Sequence, residues 1–83
     1  MKITRFSLTN GSTNTKAHFD IETTDGIILK GFQVVEGRES LFVRPPKERG
    51  KDNQWYDRVI LPEPMKSDLE EMAVNEYNNR RDQ

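Results

Sequence analysis

Four cations stand close together late in the chain: Arg44, Lys47, Arg49 and Lys51, in the segment Arg-Pro-Pro-Lys-Glu-Arg-Gly-Lys. Cationic side chains spaced this densely suit a polyanion, because each phosphate they neutralise releases condensed counterions. Such contacts position a nucleic-acid backbone without reading its bases. Glu48 and Asp52 interrupt the run, and by composition alone an ordinary solvated loop explains it better. Trp55 and Tyr56 follow directly, and either ring has the chemistry to stack on an unpaired base. Neighbours on a strand point to opposite faces, so the expectation is one packed ring, Trp55, and one exposed ring, Tyr56. Arg58, Arg80 and Arg81 extend the positive set if the helix end comes near the segment. Charge complementarity at a helix C-terminus explains Arg80 and Arg81 equally well.

Catalysis and metal binding find little to work with. There is one histidine, His18, and no cysteine, so a thiolate metal site, a cysteine nucleophile and a disulfide framework are all excluded. His18 reads as a surface residue. Asp20 and Glu22 lie on the same strand face and read as solvated carboxylates, although a small hydrolase built on His18 or Asp20 is a third reading. No phosphate-cradling glycine loop and no nucleophile-elbow motif is present. The expectation is a protein without a catalytic residue, metal or cofactor, and without a small-molecule substrate.

The 83 residues suffice for one domain, 1–83, and one core. Only 33% of them are hydrophobic, so that core is thin and self-association into a homodimer is the expected remedy. Thirteen basic residues face fourteen acidic ones, a net charge of −1, so polyanion binding requires a local patch and not a global field. The N-terminal Met1-Lys2-Ile3-Thr4-Arg5-Phe6 has no apolar leader run, and no stretch approaches a membrane span. The expected location is the cytoplasm, with no membrane partner. Asn10-Gly11-Ser12 matches a glycosylation acceptor, read here as a chance match in a turn.

The elements that must position these residues follow from periodicity. Ile3 to Leu8 reads as a first strand closed by a turn-rich cluster at 10–14. Lys16 to Glu22 alternates, with Ala17, Phe19 and Ile21 on one face and His18, Asp20 and Glu22 on a wet face. Asp25-Gly26 signals a two-residue hairpin, leading into a central strand, Ile27 to Val35, apolar on both faces and so covered on both. Leu41 to Val43 is a fourth strand that Pro45-Pro46 ends. Residues 47–54 show no period and read as an exposed loop. Trp55 to Leu61 is a fifth strand or extended segment. A helix begins between Pro64 and the capping-box pattern Ser67-Asp68-Leu69-Glu70, with Met65, Leu69, Met72, Ala73 and Tyr77 as its apolar stripe. The fold class is α+β: an antiparallel sheet of four or five strands with one C-terminal helix packed on it. An exposed strand edge makes a protein-interaction module, pairing by main-chain hydrogen bonds, the alternative to nucleic-acid binding.

Three stretches together resemble one family. Ile28-Leu29-Lys30-Gly31-Phe32-Gln33-Val34-Val35-Glu36-Gly37 runs into Leu41-Phe42-Val43 and Pro46. Trp55-Tyr56-Asp57 precedes apolar residues and Pro62, and Ala73-Val74-Asn75-Glu76-Tyr77 lies in the helix. These resemble the stage V sporulation protein G (SpoVG, septation regulator) family. The chain departs from it at Ser40, where members often carry a glycine, and in the acidic residues that dilute the basic segment. The resemblance implies a small α+β domain that dimerises and binds DNA or RNA as a regulator in sporulation or septation, with its functional basic segment after the fourth strand.

Overall fold

The computed structural model describes residues 1–9 and 13–81; the acceptor-like Asn10-Gly11-Ser12 lies outside them. Four strands, β1 (Lys2–Leu8), β2 (Thr15–Glu22), β3 (Ile28–Glu36) and β4 (Leu41–Arg44), form one antiparallel sheet in the order β1-β2-β3-β4. Two short strands, β5 (Lys47–Arg49) and β6 (Trp55–Asp57), form a second sheet, and one helix, α1 (Glu63–Arg81), ends the described chain. This is the α+β class the periodicity requires.

Alternation in β2 decides which face of the sheet is dry. Ala17, Phe19 and Ile21 are fully buried, and their partners across the strands continue the layer: Phe6 opposite Phe19 on β1, and Phe32 and Val34 opposite Phe19 and Ala17 on β3. The rings of Phe6, Phe19 and Phe32 stack in series, with centroids 5.8 and 5.5 Å apart. The helix closes this layer with part of the stripe expected of it, burying Leu69 and Ala73 and packing Tyr77 at the margin, whereas Met65 and Met72 are only half-buried and stay outside the core.

Three local details differ from the sequence reading. The β2–β3 connection has three residues and not two: Gly26 N–H donates to Thr23 O at 3.0 Å, and Thr23 N–H donates to Ile27 O at 2.9 Å. Only Gly26, at φ 90°, is left-handed there, which fits a three-residue hairpin connection ending in glycine. The helix begins at Glu63, with Pro64 in its first turn, where a missing N–H costs nothing. The capping-box residues therefore sit inside the helix. Glu70 instead accepts a hydrogen bond from Val43 N–H on β4 at 3.4 Å.

The third difference is β3 itself. Leu29 pairs with Ile21 and Phe32 with Phe19, so β3 spends three residues where β2 spends two and carries a bulge that includes Gly31, at φ 96°. The bulge resets the alternation, which is why the apolar residues of β3 read from the sequence as lying on both faces. Leu29, Phe32 and Val34 all face the helix side. On the other face Val35 is buried but Ile28 is exposed, so the second covering expected for a central strand is only partial.

Candidate nucleic-acid interface

Residues 47–54, expected as an exposed loop, form one arm and the turn of a β-hairpin. Lys47 pairs with Asp57, Glu48 with Tyr56 and Arg49 with Trp55. The turn is closed by Gly50 N–H to Gln54 O at 2.8 Å and Asn53 N–H to Gly50 O at 3.1 Å. Asn53 takes the left-handed conformation, φ 64°, which asparagine tolerates better than most residues. At the open end Arg58 N–H donates to Pro46 O at 2.9 Å. No sequence period announces this hairpin, because every residue in both strands is exposed.

Strand geometry then sorts the mixed charges that composition leaves interleaved. Successive side chains alternate faces and directly paired ones share a face. Lys47, Arg49, Trp55 and Asp57 therefore occupy one side of the hairpin, Glu48 and Tyr56 the other. Glu48 pairs with Arg58, with Nε and Oε2 3.6 Å apart. Asp52 accepts from the Tyr56 hydroxyl at 2.5 Å and from Gln54 N–H at 3.0 Å. The Tyr56 hydrogen bond is the main reason the Asp52 carboxyl lies below its ordinary range, and the same bond raises the Tyr56 phenol. Both interrupting acids are thus engaged away from Lys47 and Arg49. Asp57 is the one acid on the cationic side, 3.8 Å from Lys47 Nζ.

Both rings are exposed, so the expectation holds for Tyr56 and fails for Trp55, which is not packed. Trp55 is 62% exposed, more than Tyr56 at 52%, and shares its face with Lys47 and Arg49. The Arg49 guanidinium lies 6.0 Å from the Trp55 ring centroid. Tyr56 is tied to the turn through Asp52. Sequence reading assigned Trp55 to packing, and the β5–β6 pairing instead sets it on the same side as Lys47 and Arg49.

Beside the hairpin lies an open groove lined by Gly31, Gln33, Arg44, Pro46, Lys47 and Trp55. Its floor continues the face of the sheet opposite the helix, where Ser7, His18, Gln33 and Arg44 are paired in one row across all four strands. A Cβ on Gly31 would come 3.4 Å from Pro46 Cβ, so the bulge and the double proline bring the hairpin close to the sheet.

Asp20 anchors this region and corrects a sequence expectation. Placed by alternation on the wet face, it is 4% exposed. β1 carries a bulge between Ile3 and Arg5 and β3 carries its own. The two distortions bring Arg5 Nε to 2.9 Å and Nη2 to 3.3 Å from the carboxylate, and Gly31 N–H to 3.1 Å. The Arg5 hydrogen bond holds the carboxyl below its usual range; burial works against it, and the Gly31 bond adds to the lowering. Both oxygens are committed to structure.

The structure gathers Arg44, Lys47 and Arg49 at the groove and hairpin, with Lys51 in the exposed turn. It does not gather the others. Arg58 goes with Glu48 on the far side of the hairpin. Arg80 donates to Phe6 O at 3.4 Å, lies 5.2 Å from the Phe6 ring and 3.4 Å from Glu76. Arg81 lies 5.7 Å from the Tyr77 ring, beside a separate depression at the β3–β4 turn. No helix among the described residues is long and apolar enough to cross a membrane.

A four-stranded sheet backed by one helix, with a cationic hairpin against its open face, defines a small α+β protein. No family model matches the chain. It is similar to the "Putative septation protein SpoVG" of Finegoldia magna, 28% identical over 81 residues that cover 94% of this chain and 75% of that protein. That similarity agrees with the SpoVG-family resemblance carried by the β3–β4 and helix stretches.

Proposed function

We propose that this chain is a non-enzymatic regulator that binds DNA or RNA as a homodimer, through the cationic side of the β5–β6 hairpin and the groove beside it. The observation that carries the reading is the sorting of charge. Lys47 and Arg49 point to one side with Trp55, next to Arg44, while Glu48 and Asp52 are satisfied by Arg58 and Tyr56. A chain of net charge −1 thereby presents a local positive surface of the kind phosphate binding needs. The relative is named as a septation protein, and by this reading the chain acts in that process from the cytoplasm.

The edge-pairing alternative fares less well. β1, the long free edge, carries Lys2, Arg5 and a bulge, the devices that discourage strand addition. The test is binding of labelled oligonucleotides over a range of salt. Affinity is expected to fall steeply as salt rises, and replacing Lys47, Arg49 and Lys51 with Ala to flatten the slope by about 2 to 3 log units per log unit of salt. An unchanged slope, or no binding at low salt, would overturn the assignment.

A further inference from the structure

The geometry points to single-stranded nucleic acid as the ligand, held with one unpaired base stacked on Trp55 in the groove between the hairpin and the open face of the sheet. This rests on the nucleic-acid reading above and narrows it. Three observations combine. The chain's sole tryptophan is 62% exposed, although in a protein this short of apolar residues its large ring would be expected in the core. It shares its side of the hairpin with Lys47 and Arg49, placing cations within reach of the phosphates that flank a stacked base. The groove beside it supplies Arg44 and the amide of Gln33 among its lining residues.

Energetics favour a single strand. Among the described residues the groove and hairpin bring together only Arg44, Lys47 and Arg49, with Lys51 in the turn, and the helix commits Arg80 to Phe6 and Glu76. Counterion release from so few phosphates is modest, so a second source of affinity is needed. Stacking on an aromatic ring is such a source, and it is open only to bases not already stacked on both sides. In a duplex the bases offer only their groove edges; the Trp55 indole has one N–H for them and gains no ring-on-ring contact.

The experiment uses the full chain with oligothymidylate, oligouridylate and a duplex of matched length, at low and moderate salt. Binding is followed by anisotropy of the labelled oligonucleotide and by quenching of the Trp55 emission. Both single strands are expected to quench the emission and bind more tightly than the duplex. Trp55→Ala should weaken single-strand binding roughly ten- to a hundredfold and leave duplex binding nearly unchanged, with Trp55→Phe recovering much of the loss. Far-UV circular dichroism verifies that the variants fold. The ratio of the two single-strand affinities separates DNA from RNA. Duplex binding as tight as single-strand binding, or single-strand binding indifferent to Trp55→Ala, overturns the inference and leaves the phosphate reading standing. Binding of neither form at low salt overturns both.

Discussion

Asp20 is the buried charged side chain of the described residues, and its partners are a guanidinium on β1 and a main-chain N–H in the β3 bulge. Removing the carboxylate leaves the Gly31 N–H unsatisfied, a loss of about 1–3 kcal/mol. Asp20→Ala should therefore lower the urea midpoint by a corresponding amount. The pH dependence has a definite sign. The carboxyl lies below its ordinary value in the folded state, so its ionised form stabilises the fold at neutral pH. That contribution fades as pH falls past the ordinary value near ~3.9 and is gone below the folded value. The melting temperatures of wild type and Asp20→Asn should therefore differ at neutral pH and converge as the solution is acidified. Little of this was legible in the residues themselves. Alternation assigns Asp20 to the solvent face correctly as geometry, but burial there depends on Arg5, fifteen positions away, and on bulges set by pairing. Trp55 was hidden for the same reason, because its neighbours Lys47 and Arg49 are neighbours only across β5 and β6.

At the scale of elements, the signals that worked are the periodic ones. β2 alternates because one face is covered by a helix, and α1 carries its stripe because the same layer needs closing. Both patterns are consequences of a dry side and a wet side. The β5–β6 hairpin has no dry side, so nothing in its order of residues marks it as strand. The bulge at Gly31 makes the clearest prediction here. Alanine at φ 96° is strained, although its Cβ would meet Pro46 at an ordinary 3.4 Å. The penalty is thus conformational, and Gly31→Ala should destabilise the fold by more than about 1 kcal/mol, read from chemical denaturation. On the helix, Leu69 is 1% exposed against the sheet. Leu69→Ala should cost about 2–5 kcal/mol, enough to leave a thin domain largely unfolded by circular dichroism at growth temperature.

Across the whole molecule, nine of the ten buried apolar side chains of the described residues make a core of one layer, Val35 being the exception, and several large apolar residues remain outside it. Ile60 is 84% exposed, and Ile27 and Ile28 are also uncovered. A second copy is the cover proposed for such surface, and sedimentation should return twice the mass of the chain. A monomeric mass at micromolar concentration would remove the dimer from the reading without touching the hairpin. The fold class was legible from the order of strands and helix, whereas association depends on which apolar residues the finished core leaves out.

Glu70 reaching across to the Val43 N–H has a consequence for how copies of this chain assemble. It occupies part of the four-residue margin at β4, so among the described residues β1 is the long margin of the sheet left unoccupied. Two molecules that met margin to margin there would use up that surface on both, and a third would find nothing to extend. A two-fold meeting of that kind closes on itself as a pair, and the charges and bulge that β1 carries work against it.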